Sequence, residues 1–293
     1  VAVFRSVLHR LVEQVAALIP GRPRHHADRR FIAIDATSLV CPRSASTFQQ
    51  LACPSRDRWL ISHYPRALVV VAFDVMRRLP LEWVLLPKGT GERAAIAPLL
   101  AHLRRGDVAI LDRGYPARWL LDSLVGHGVD VVMRMTAAKR GAWREVTAFL
   151  ASGQKTAVVE IDLGQGRSIT ARLIRRNPPR GRPLKHQRRE TVVILTTLLP
   201  RHGFETKDIV ELYGKRWGVE SLFREMKEAF AIETFHTRSL DGIQQEIATV
   251  LMWMALTATV EAVVREGIPE TKRVHRRACR TVARCFLLDA LAG

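Results

Sequence analysis

The period of the apolar positions changes several times along the chain, and each change marks an element. Phe4, Val7, Leu8, Leu11, Val12 and Val15 recur at helical spacing, so the pattern predicts an amphipathic helix over residues 1–19, ended by Pro20-Gly21. A basic linker punctuated by Pro and Gly follows, and its adjacent His25 and His26 lack partners at metal-ligand spacing. Residues 31–40, FIAIDATSLV, read as a strand with one acid, Asp35, set into it. Such a carboxylate either ends the strand in an Asx turn with Thr37 or is answered by a cation or hydrogen-bond network. Residues 67–75 and 79–86 then predict two antiparallel strands joined by a short turn, with Asp74 near that turn as a structural or surface acid.

Helical spacing returns at 92–103 and closes at Arg104-Arg105-Gly106. A short strand over 107–111 ends directly on Asp112 in DRGY, and groups placed just beyond strand ends are where α/β sheets collect their chemistry. Gly114 permits a tight turn, Pro116 suits the first turn of a helix over 117–125, and another strand covers 129–133. Alternation at 157–163 and 168–174 around Gly164 and Gly166 predicts a hairpin, and residues 191–199 a further strand. Between them the basic loop 175–190 suits either a disordered segment or a flexible arm contacting phosphates. A helix over 206–229, a long buried helix over 239–265 and a basic helical tail with Lys272, Arg273, Arg276, Arg277, Arg280 and Arg284 complete the order.

Composition narrows the partners. The 293 residues carry a formal net charge of +18 and a pI of about 11.0, which favours an acidic polymer, nucleic acid ahead of a membrane surface. Cys41, Cys53, Cys279 and Cys285 form no CxxC pair, so they read as reduced thiols of a cytoplasmic protein, without a sulfur-held metal. The most apolar stretch, residues 247–260, is shorter than the ~20 residues of a bilayer span and predicts a buried helix. Arg5, Arg10 and Glu13 interrupt the N-terminal apolar run, unlike a signal peptide.

Within the helix over 206–229, Tyr213, Arg216, Glu220 and Lys227 fall within an arc of roughly 60° beside an apolar stripe of Leu212, Val219, Phe223, Met226 and Phe230. Taken alone, that line suits a solvated face with an Arg216–Glu220 ion pair. The element order, antiparallel strands followed by βα units, with acids on the first strand, after the fourth strand and on a late helix, describes more. It predicts an α/β, RNase H-like catalytic core, a mixed sheet flanked by helices, interrupted by a β-rich insertion. Asp35, Asp112 and Glu220 converging in such a core repel one another, and a divalent metal is the ordinary remedy. Oxygen-only ligands favour Mg²⁺ or Mn²⁺, as two ions acting on an in-line displacement at phosphorus. Arg216, Lys227 and the Tyr213 hydroxyl then hold DNA phosphates.

The segment Y-x2-RW-x2-E-x2-F-x3-K at Tyr213, Arg216, Trp217, Glu220, Phe223 and Lys227 resembles the signature of bacterial insertion-sequence DDE transposases of the Tyr-Arg-Glu-Lys group. DRGY at 112–115 and D-x-T at 35–37 are similar to that family's other two acidic motifs. The resemblance implies a DNA transposase performing metal-dependent 3′-end hydrolysis and strand transfer in cut-and-paste transposition. Asp35, Asp112 and Glu220 are then catalytic metal ligands, and Tyr213, Arg216 and Lys227 bind the transposon-end backbone. It implies DNA ends and target DNA as partners, a homo-oligomer assembled on DNA, no membrane, and a bacterial cytoplasmic location on the nucleoid. The expected organisation is an N-terminal helix and linker (1–30), the first part of the core (31–142), a β-rich insertion (143–202) and the second part of the core with the Glu helix and basic tail (203–293). The alternatives are a truncated or domesticated copy that binds DNA without turnover, and a structure-selective nuclease of the same fold.

Overall fold

A computed structural model describes residues 1–18, 29–51, 64–137, 141–176, 191–269, 272 and 274–292, with side chains through residue 286. His25, His26, Cys53, Arg273 and residues 177–190 of the basic loop lie outside the described residues.

The elements are α1 (Ala2–Leu18), β1 (Phe31–Val40), α2 (Ala45–Leu51), β2 (Arg66–Asp74), β3 (Leu79–Pro87), α3 (Ala97–Leu100), β4 (Val108–Leu111), α4 (Arg118–Gly126) and β5 (Asp130–Met135). After these come α5 (Arg144–Ala151), β6 (Thr156–Gly164), β7 (Arg167–Arg176), β8 (Val192–Thr196), α6 (Thr206–Lys215), α7 (Trp217–Glu228), α8 (Leu240–Glu266) and α9 (Arg276–Ala292). The strands form one mixed sheet in the order β3-β2-β1-β4-β5-β8-β7-β6, flanked by helices. The helix expected over 92–103 is reduced to a 3-10 turn at Ala94–Ile96 running into α3. Arg93 makes no side-chain cap there, and Pro98 sits in the first turn of α3, so little favours a longer helix.

The chain divides into two compact units. One, the helical unit, comprises Val1–Ala27, Ala36–Gly91 and Gly218–Gly293; the other, the sheet unit, comprises Asp28–Asp35 and Glu92–Trp217.

In the helical unit, β2 pairs antiparallel with β3, and Val69, Val70 and Val71 are fully buried, as a strand covered on both faces requires. Asp74 closes the turn between them, accepting from the backbone N–H of Met76 at 2.9 Å and of Arg77 at 3.1 Å. It is therefore the structural acid of the two options. α8 packs on α1, α2, β3 and α9. By length and composition α8 could cross a bilayer, yet half of its most apolar window is buried against these neighbours, as in a core helix. Arg276 and Arg280 of α9, two of the basic residues of the tail, are paired within the unit. Arg276 pairs with Glu225 at 2.7 Å and Glu261 at 3.3 Å, and Arg280 with Glu225 at 3.0 Å, so their charge is spent on acids of the same unit. Arg277 and Arg284 of the same helix are exposed.

In the sheet unit, β1, β4 and β5 run parallel, and β8, β7 and β6 continue antiparallel. Phe31, Ile32, Ala33 and Ile34 are buried, as are all four residues of β4, which is the unbroken apolar run of strands covered on both faces. β6 ends the strand order, and its residues alternate between exposed and half-buried apart from Ile161. Glu160 on this outer strand accepts from Thr170 at 2.5 Å and Ser168 at 3.3 Å, a polar dressing that suits an edge.

Candidate active site

The register of β1 on β4 is pinned at the start of both strands. Arg30 makes a two-pronged contact with Asp107, Nε to Oδ1 at 2.9 Å and Nη2 to Oδ2 at 2.5 Å, and the N–H of Val108 donates to the Arg30 carbonyl. Phe31 then lies opposite Val108, Ile32 opposite Ala109 and Ala33 opposite Ile110. Asp35 and Asp112 each stand two residues beyond the last of these pairs. β4 and β5 are tied in the same way, with the N–H of Asp130 on the Asp107 carbonyl and Leu111 opposite Met133, the residues just before Asp112 and Arg134.

Asp112 is half-buried, and its Oδ1 accepts the N–H of Gly114 at 2.7 Å, an Asx turn that fixes the carboxylate's direction. A side chain at Gly114 would crowd this arrangement, its Cβ lying 3.1 Å from Asp112 Oδ1 and 3.5 Å from Glu92 Oε2. The glycine in DRGY thus serves close approach more than turn strain. Tyr115 follows, fully buried, its hydroxyl without a hydrogen-bond partner among the described residues. Burial pushes the phenol pKa far up, and the negative charges of Asp35, Glu92 and Asp112 push it further, so the hydroxyl keeps its proton. Desolvation also raises Glu92, with Asp112 adding to it.

α6 delivers the next two side chains. Its N-terminus is fixed by Asp208 accepting the N–H of Glu205 at 2.8 Å and by Arg172 of β7, which donates to the Phe204 carbonyl at 3.1 Å and to the Thr206 hydroxyl. Ile209 and Leu212 bury its inner face, and it packs on β5. Arg216 at its C-terminus reaches Asp35, Nη1 to Oδ2 at 2.9 Å, with side-chain exposures of 9% and 16%. Asp35 is thus answered by a cation. Tyr213 is raised by burial, while the charges of Arg216 and Arg134 and a hydrogen bond to Arg216 oppose that shift.

The helix expected over 206–229 is two helices. α6 stops at Lys215, the Arg216 N–H bonds back to the Tyr213 carbonyl at 3.1 Å, and α7 starts at Trp217. Tyr213 and Arg216 belong to the sheet unit with Asp35 and Asp112, whereas Glu220 and Lys227 belong to α7 in the helical unit. Arg216 between the two helices keeps helical backbone angles, φ −51° and ψ −33°. In the helical unit Glu220 is half-buried in the first turn of α7, and Lys227 Nζ donates to the Ser38 carbonyl of β1 at 2.8 Å. Gly218 lets α7 approach β2, since a Cβ there would lie 3.2 Å from the Phe73 ring.

Sequence reasoning missed Glu92, Arg134 and the part played by Tyr115. Arg134 had a usable signal, a single cation in the apolar strand DVVMRM. Glu92 had none, because it looks like any acid at a helix start.

A mixed sheet flanked by helices, with a half-buried acid within β1 and another directly after the adjacent parallel strand β4, defines an α/β protein of RNase H-like fold. The family described as "Transposase DDE domain" matches residues 26–256, and the chain belongs to it. No curated protein matches the chain. Among solved structures, it is similar to the piggyBac transposase in a synaptic complex with hairpin DNA, with 12% identity and a TM-score of 0.52 over 87% of this chain. The chain spans 51% of that chain, and at this identity the likeness carries the fold alone.

Proposed function

We propose that the chain is the transposase of a bacterial insertion sequence of the Tyr-Arg-Glu-Lys group, hydrolysing DNA at the element's 3′ ends and joining the freed 3′-hydroxyls to target DNA. The observation that carries this reading is that Asp35 and Asp112 each follow two residues after the last pair of the adjacent parallel strands β1 and β4, in a chain of the DDE family. Asp35, Asp112 and Glu220 are the catalytic carboxylates and would hold a pair of Mg²⁺ or Mn²⁺ ions. The donors suit hard cations: they are carboxylate oxygens, and the charges of two of them act on the buried Tyr115 hydroxyl, which has no partner among the described residues. Such ions supply Lewis-acid polarisation at phosphorus and activation of the attacking oxygen.

The chain's own groups position the DNA. Arg216 offers a planar fork that suits phosphate oxygens while its charge steadies Asp35. Tyr213, held in its neutral form by burial, donates its hydroxyl proton to a phosphate oxygen. Lys227 uses one donor on the Ser38 carbonyl and has two more for the backbone of the bound strand. The net charge of +18 supports DNA as the partner, with a homo-oligomer assembled on the element ends in the bacterial cytoplasm.

Two readouts on DNA carrying the inverted repeats that flank the coding region test this. Affinity is expected to fall about 10³-fold between 50 and 200 mM salt, as for roughly six phosphate contacts. Mg²⁺ is expected to yield a cut with a 3′-hydroxyl at the element end. A flat salt titration sinks the DNA reading, and steep binding without any cut leaves a DNA-binding copy that lacks turnover.

A further inference from the structure

Glu92 stands outside the three carboxylates assigned above, yet it shares a site with one of them. Its Oε2 and Asp112 Oδ1 flank the same face of Gly114, 3.5 Å and 3.1 Å from where a Cβ would stand. The two segments are tied together by Arg93, whose Nε donates to the Gly114 carbonyl at 2.7 Å. Carboxylates held this close repel unless a cation lies between them. Acidic neighbours alone are common on protein surfaces, but here a second, independent feature points the same way. Tyr115, in the same segment, is fully buried, its hydroxyl has no partner among the described residues, and the charges of Asp35, Glu92 and Asp112 all act on it. Buried hydroxyls are nearly always satisfied by protein, water or an ion's ligand shell.

We propose that Glu92 is a fourth carboxylate of the metal centre, holding a divalent cation jointly with Asp112 in the space lined by Tyr115. The proposal rests on the reading of Asp112 as a metal ligand. It confines one cation-holding pair to the sheet unit, in the segment 92–115. Glu92 itself is exposed, so replacing it puts little of the core at risk.

The test is a titration of the full chain with Mn²⁺ followed by electron paramagnetic resonance of the free ion, without DNA, alongside circular dichroism to check folding. Wild type is expected to bind Mn²⁺ at millimolar concentration or below, Glu92→Gln to bind it at least about tenfold more weakly, and Glu92→Asp to recover part of the loss. Asp112→Asn is expected to lose binding to a similar or greater degree. Weakening by Asp112→Asn with wild-type binding by Glu92→Gln overturns the proposal and leaves the function reading intact. Unchanged binding in both variants overturns the proposal and removes Asp112 as a metal ligand. Failure of the wild type to bind millimolar Mn²⁺ also overturns the proposal, while Mg²⁺-dependent cutting of the repeats judges the function reading separately.

Discussion

Asp112→Asn is expected to slow strand cleavage at the element ends by about 10³-fold or more while leaving DNA affinity within a few-fold of wild type. The isosteric change is the informative one. Asn keeps a side-chain oxygen to accept the Gly114 N–H, which Asp112 Oδ1 now accepts at 2.7 Å, so the turn of DRGY survives. What it removes is the negative charge, directly after the last residue of β4. Loss of a group that acts only as transition-state charge develops appears in the chemical step and spares ground-state binding. Asp112→Ala should be as inactive and also less stable, because the turn loses its acceptor. Cleavage by Asp112→Asn within tenfold of wild type would remove Asp112 from the catalytic set.

Arg216→Ala should lower the unfolding free energy by roughly 3 kcal/mol, the range for breaking one side of a mostly buried ion pair. The guanidinium is 9% exposed and sits 2.9 Å from an Asp35 carboxylate that is 16% exposed, so its removal strands a charge with little water to serve it. Arg216→Lys keeps a cation but loses the planar fork, and should cost less. The mechanism makes a second demand: adding Asp35→Asn to Arg216→Ala should restore part of the lost stability, because the stranded charge is then gone. Denaturant unfolding of the two single variants and the double variant measures the coupling. Additive losses would mean that the pair contributes no more than its separate parts. Arg216→Ala should also weaken DNA binding, and that loss should persist in the double variant.

Much of the sheet could be read from periodicity, because buried parallel strands leave unbroken apolar runs. FIAI and VAIL, each followed by an acid, mark Asp35 and Asp112 without any coordinates. The pairing of β1 with β4 was not readable, since it depends on Arg30 meeting Asp107 across 77 residues. The break at Arg216 was hidden for a different reason. Tyr213 to Lys227 keeps a helical spacing, and neither Arg216 nor its neighbours carry a proline that would announce an interruption. Spacing alone therefore joined residues that the fold assigns to two units. The ion pairs in the tail were not readable either, because charge counts do not reveal that Glu225 and Glu261 meet Arg276 and Arg280. Glu92 was invisible because its meaning lies in the proximity of Gly114 and Asp112, which comes from the loops and not from any periodic element.

The central claim is that Asp35, Asp112 and Glu220 act as one metal-holding set on DNA, and the most direct test compares single and double variants in one cleavage assay. Groups that act as a unit show strongly non-additive losses. With Mg²⁺ and the terminal repeats, Asp112→Asn combined with Glu220→Gln is expected to cleave no more slowly than the worse of the two single variants. Losses that multiply in the double variant would show Glu220 and Asp112 working independently, and would contradict the account.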